Sequence, residues 1–223
     1  MTPKSNVTIA DGKVSERMSD LPVGSERSVR DNMAQSEIEK WVRNGLFLAA
    51  SRTYGEQYVE PFIRRQYKLI DPSENDHDGM SKDGTRFEIK ASKVLKKTSN
   101  ISKSKPLLDR VIFENDNAPI NRLVPFSQST STKYDANIQN VKRDHFEELI
   151  YVLLFEDCVK VFQIKADKIS AIPRWSDKHG RYDALGKSGQ FMINKGSIQW
   201  HLDNHLKDTF TYGQIAEAFK TIR

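Results

Sequence analysis

The sequence predicts an α/β (α+β) fold: a central mixed β-sheet flanked by helices, with helices at the N-terminal end and a mixed C-terminal part. Three observations predict it. Helical spacing of apolar residues dominates 36–70, strand-like alternation takes over at 86–94, and two apolar strand-like runs within 148–165 are joined by a turn at Glu156-Asp157. The 223 residues are enough for one sizeable domain. Residues 34–223 are read as that single domain, behind a polar, weakly patterned arm over 1–33 that is expected to be flexible or irregular.

Each element has its own signal. "SEIEKWVRNGLFLAASR" predicts a first helix, with Ser36 as cap, Glu39 three residues on, and Ile38, Trp41, Val42, Leu46 and Ala49 at helical spacing. "TYGEQYVEPFIRRQYKLI" predicts a second, in which Pro61 marks either a kink or the first turn of a new helix. A polar loop, "DPSENDHDG", and a turn, "KDGT", lead into "RFEIKASKV". There Phe87, Ile89 and Ala91 point to one side of a strand and Glu88, Lys90 and Ser92 to the other.

Residues 95–105 are expected to form a mobile loop, "RVIF" a short strand, and "PFSQSTSTKYDANIQNVK" a long polar connection. "EELIYVLLFEDCVKVFQIKAD" is the clearest hairpin in the chain. Towards the end, "QFMINKGSIQWHL" is expected to be a hairpin and "TYGQIAEAFKTI" a short helix capped by Thr211. The tryptophans Trp41, Trp175 and Trp200 are expected as core or interface anchors.

Composition narrows the partners. Hydrophobic residues make up 37% and charged residues 29%, with net charge +5 and pI near 9.1, a balance that favours a polyanionic partner. The single cysteine, Cys158, rules out an internal disulfide and points to a reducing compartment. No apolar run approaches the roughly 20 residues needed to span a bilayer, and the N-terminus lacks a signal-peptide core. The expected setting is cytoplasmic, with no membrane partner.

The stretch that carries chemistry is "ENDHDGMSKDGTRFEIKASKV", residues 74–94. Asp78 sits in a Gly-bearing loop, and ten residues later Glu88 and Lys90 share one face of a strand. Two carboxylates at a strand end suit Mg²⁺, which takes one or two carboxylates with waters and a phosphate oxygen. A lysine roughly 6–7 Å along the strand can hold or deprotonate a water aimed at phosphorus. Asp76 and Glu74 are alternative ligands to Asp78. Two other patterns carry little. "GRYDALGKS" has five residues between its glycines where a phosphate-binding loop has four, and "HLDNH" lacks the glutamate of a zinc-protease helix.

"D-G-M-S-K-D-G-T-R-F-E-I-K-A-S" resembles the active-site signature of the PD-(D/E)XK nuclease superfamily, in particular the type II restriction endonucleases. His77 stands where that signature has proline. The resemblance implies a restriction-endonuclease-like fold and a homodimeric, Mg²⁺-dependent endonuclease acting on double-stranded DNA and leaving 5′-phosphate ends. A cognate DNA methyltransferase would be its companion.

By position, the resemblance makes Asp78, Glu88 and Lys90 catalytic, with Asp78 and Glu88 as metal ligands. Glu56 resembles the glutamate that many members carry on a preceding helix. Ser92, Lys93, Lys96 and Lys97 would contact DNA, within a stretch that holds six lysines and no acid from Lys90 to Lys105. Gln139 and Lys142 would lie near the site. The alternatives are a nuclease of the same superfamily in DNA repair or phage defence, and a DNA-binding protein without catalysis.

Overall fold

The computed structural model describes residues 34–50, 53–71, 77–177 and 188–222. The N-terminal arm, Glu74, Asp76 and nearly all of "GRYDALGKS" lie outside the described residues.

Helix α1 (Gln35–Leu48) buries Leu46 and Phe47. Its cap is Ala34, whose N–H donates to the Glu37 carboxylate at 3.3 Å, so Ser36 lies inside the helix instead of capping it. A π-helical turn (Thr53–Val59) then runs into α2 (Glu60–Tyr67), with Pro61 in the first turn of α2, where its missing N–H costs no hydrogen bond. Strand β1 (Gly79–Met80) and β2 (Arg86–Lys93) form a hairpin. Gly84 takes φ 88° in its turn, a conformation glycine adopts without strain, and the Asp83 carboxylate accepts from the Thr85 N–H.

The chain continues through α3 (Leu107–Asp116), β3 (Ala136–Val141), β4 (Glu148–Leu154), β5 (Val159–Lys165), β6 (Gly189–Ile193), α4 (Ile198–His205), β7 (Leu206–Phe210) and α5 (Tyr212–Phe219). Five strands form one mixed sheet in the order β1-β2-β4-β5-β7, in which β2 and β4 run parallel and the other neighbours antiparallel. A separate pair, β3 and β6, is antiparallel. The fold is therefore mixed α/β, with a five-stranded mixed sheet flanked by helices.

The sheet divides the core in two. Leu149, Tyr151 and Leu153 of β4 pack against the β3–β6 pair and α4, whereas Ile150, Val152 and Leu154 pack against α1, α2 and α5. All six are 0% exposed, which is why β4 reads as a continuous apolar run and not as an alternation. The hairpin β4–β5 closes through Phe155, whose N–H donates to the Cys158 carbonyl at 2.9 Å. Thr211 caps α5, accepting from the Gln214 N–H.

Four expectations are corrected. "RVIF" is helical, inside α3. The polar connection contains β3, whose Ala136, Ile138 and Val141 are buried. "QFMINKGSIQWHL" is a strand followed by a helix, because the Asn194 side chain accepts from the Gly196 N–H and opens α4. Residues 95–97 are tied down by bridges from Leu95 to Leu123 and from Lys96 to Tyr134.

Trp41 is 68% exposed, so it does not anchor the core, whereas Trp175 and Trp200 pack against the core. His201 is fully buried with its Nδ1 bonded to the Tyr151 hydroxyl, and burial lowers its pKa to about 4. It stays neutral as a core group. No helix among the described residues is long and apolar enough to cross a membrane.

Gly189 opens β6 directly under the Trp175 ring, where a Cβ would lie 2.1 Å from the indole. Gly189→Ala is therefore expected to displace Trp175 and cost about 1–3 kcal/mol of stability. Denaturant unfolding of the variant measures it, and an unchanged midpoint would contradict the packing.

Candidate active site

Beyond its short pairing with β1, strand β2 is bordered on one side by β4 and on the other by side chains. Asp78 immediately precedes β1, and its own N–H donates to the Phe87 carbonyl at 2.8 Å. Its Oδ2 accepts the Ile89 N–H at 2.7 Å, and the Tyr54 hydroxyl donates to the Ala91 carbonyl at 3.0 Å. These contacts satisfy backbone groups along the strand's margin. They also fix the Asp78 carboxylate against β2, one position from both Glu88 and Lys90.

The alternation of β2 does the rest. Phe87 and Ile89 anchor one face in the helix-side core, which turns Glu88 and Lys90 to the other face together. The Lys90 ammonium contacts the Glu88 Oε1 and lies 3.5 Å from the Asp78 Oδ2, so one cation bridges both carboxylates. Glu88 is buried, while Asp78 and Lys90 keep partial access to solvent.

A third carboxylate belongs to this cluster. Glu60, the first residue of α2, feels both Asp78 and Lys90. Burial, reinforced by the Asp78 charge, raises the Glu60 pKa to about 7. Glu88 is raised to about 7 by burial and Asp78, against the opposing pull of Lys90 and Lys142. Burial acts against the Lys90 charge, but Glu88, Asp78 and Glu60 outweigh it, and the Lys90 pKa is raised. Lys90 contacts Glu88 and Asp78 directly, while Arg64 acts on Glu60 and Lys142 on Glu88 through their charges.

Lys90 and Glu60 line a cleft of about 550 Å³. Its walls come from the π-helical turn on one side, including Glu56, and from Asn137, Gln139 and Asn140 of β3 on the other. Glu56 and Glu60 are one helical turn apart on that wall, and Glu60 was the residue missed in the sequence. The available signal was the four-residue interval from Glu56, which sets both acids on one helix face.

The remaining candidates scatter. Ser92 and Lys93 line the cleft, but Ser92 is 7% exposed and the Lys93 ammonium is held by the carbonyls of Phe47 (2.9 Å) and Ala49 (2.5 Å) at the end of α1. Burial lowers the Lys93 pKa to about 8. Lys97 pairs with Asp135 at the cleft wall at 2.8 Å, and Lys96 is exposed beside it. Lys142 is exposed and near enough to Glu88 to act on its charge.

Among the described residues, no three His, Cys, Asp or Glu side chains converge as a preformed metal cage, so Asp78, Glu88 and Glu56 do not form one. Mg²⁺ does not require one, because waters and substrate phosphate oxygens complete its shell around one or two carboxylates. Asp78 and Glu88 supply two oxygen donors beside a shared cation. The donor set fits Mg²⁺. Scans of protein-family models and of curated proteins found no match to the chain.

Proposed function

We propose that the chain is a Mg²⁺-dependent endonuclease of restriction-endonuclease-like fold, cutting both strands of a short double-stranded DNA site. The observation that carries this reading is the bridging of Asp78 and Glu88 by Lys90 at the margin of β2, with Lys90 lining the adjoining cleft.

Asp78 and Glu88 would hold Mg²⁺, which when bound supplies Lewis-acid polarisation of a phosphoryl oxygen and a lowered pKa for water. The chain's own groups do the positioning. The Ile89 N–H orients the Asp78 carboxylate, and burial in β2 restricts Glu88. Lys90 stays cationic, so its role is to orient the attacking water and to stabilise negative charge on phosphorus oxygens, not to act as a free base.

Glu60 carries a carboxyl that titrates near neutrality in the same cleft, suited to accept the proton the water loses. Water oxygen bonds to phosphorus as the P–O3′ bond breaks, the departing O3′ takes a proton from a solvent water, and the products are a 5′-phosphate and a 3′-hydroxyl.

The test is digestion of a plasmid panel by the purified chain with Mg²⁺ and with chelator. Discrete bands that vanish with chelator support site-specific cleavage, smears favour another nuclease role, and intact DNA in every lane overturns catalysis. A pH series in the same assay gives a further expectation. Glu88 must be ionised to hold a cation, and its pKa is raised to about 7. Cleavage at fixed Mg²⁺ should therefore climb with pH below about 7 and level off above it. A profile flat from pH 5 to 8 would contradict that assignment.

A further inference from the structure

Strand β3 lines the cleft with carboxamides. Asn137 and Gln139 alternate with the buried Ala136 and Ile138, so both stand on the exposed face of the strand. Asn140 follows where the pairing with β6 shifts register, in the left-handed conformation at φ 59°, and it too is exposed and lines the cleft. The irregularity adds a third amide to a wall that strict alternation would furnish with two. Among the described residues none of these three side chains has a hydrogen-bond partner. Asn117, Asn121 and Asn204, by contrast, donate theirs to backbone carbonyls.

The charges around the cleft select the ligand. The wall facing β3 carries Glu56 and Glu60, and at the near end of β3 Asp135 is paired with Lys97. Neither wall has a lysine or arginine among the described residues, and Lys93 between them is held by the α1 carbonyls. A phosphate lodged between the walls would meet carboxylates on one side and neutral amides on the other. A neutral group with a donor and an acceptor side by side suits the same walls.

A nucleobase edge is such a group. A carboxamide offers an acceptor oxygen and N–H donors, which match the N6 amine and N7 of adenine. Guanine presents two acceptors on that edge and is read most often by arginine or lysine. No arginine lines this cleft among the described residues.

We propose that Asn137, Gln139 and Asn140 are specificity-determining residues that read an adenine-bearing base pair beside the cleaved phosphodiester. The inference rests on the nuclease reading and deepens it, because it requires an A·T pair at a fixed position in the recognised site.

Selection from randomised DNA duplexes by the purified full chain, with Ca²⁺ in place of Mg²⁺, tests it by binding alone. The wild type is expected to enrich duplexes with an A·T pair at a fixed position. Asn137→Ala and Asn140→Gly should each lower the preference for adenine about tenfold. Glycine is chosen at 140 because it accepts the left-handed conformation without strain. Affinity for unrelated DNA and its salt dependence should stay unchanged, since a neutral amide displaces no counterion. Melting temperatures should also hold, because the substituted side chains are exposed.

Gln139→Glu gives the sharper readout. It keeps only acceptors, so cytosine, whose N4 amine donates, should replace adenine at one position. A wild type that binds no DNA or shows no A·T preference overturns the proposal. So does a Gln139→Glu variant that keeps adenine, or a loss of affinity spread evenly over all sequences. The two readings fail separately. A chain that selects an A·T-bearing site and leaves it uncut with Mg²⁺ sinks catalysis and keeps the reader, and one that cuts at sites indifferent to these substitutions does the reverse.

Discussion

Lys90→Met is expected to lower the rate of DNA cleavage on the order of 10³-fold while leaving the protein folded. The substitution keeps the length and apolar stem of the lysine and removes only the charge. Among the described residues Lys90 is the cation that touches both Glu88 and Asp78, so its loss leaves two carboxylates without that shared counter-charge. Glu88, already raised by burial and Asp78, then takes up a proton still more readily.

The variant is therefore expected to lose stability as pH rises from 5 to 8 more steeply than the wild type. The sign follows from linkage. A carboxyl whose pKa is higher in the fold than in the unfolded chain binds its proton more tightly when folded, so stability falls as pH rises through that window. Single-turnover cleavage and thermal unfolding across pH measure both parts. Wild-type cleavage by Lys90→Met would remove the lysine from the mechanism.

Two substitutions at Asp78 separate its chemical role from its structural one. Asp78→Asn keeps an oxygen that can accept the Ile89 N–H, so the fold should hold, but the neutral amide is a poor Mg²⁺ ligand. Cleavage should fall on the order of 10³-fold, and the rise in melting temperature that Mg²⁺ gives the wild type should shrink or vanish.

Asp78→Ala removes the acceptor as well and leaves the Ile89 N–H at the strand margin unpaired. It should lose the same activity and also cost about 1–3 kcal/mol of stability. If Asp78→Asn retains both cleavage and the Mg²⁺-dependent shift, Asp78 is only a hydrogen-bond acceptor for β2.

Much of the site was legible because β2 is a half-buried strand. Its apolar residues had to face the core, which left Glu88 and Lys90 no choice but to share the other side. The Asp78 carboxylate reaches them because the Gly84 turn folds the chain back on itself within a few residues, a local signal.

Glu60 was not legible in the same way. It gains its environment from the approach of α2 to β2, and sequence holds only the interval that relates it to Glu56. Helix α3 was misread as a strand because "RVIF" is a short apolar run with β-branched residues, and periodicity cannot separate strand from helix over four positions. Strand β3 was hidden for a different reason: Asn140 takes φ 59° where the register shifts, and Val141 falls out of the alternation begun by Ala136 and Ile138.

The parallel pairing of β2 with β4 bears on how the protein comes into being. Glu88 lies opposite Leu149, 61 positions further along, whereas the β4–β5 hairpin closes across a few residues. Closing the long loop carries the larger entropic penalty, so the hairpin can form early and β2 must wait for it. A nascent chain that has emerged only as far as Lys105 therefore holds Asp78, Glu88 and Lys90 without the strand that seats them. The catalytic power proposed for this molecule would arrive near the end of its folding, as a property of the finished sheet.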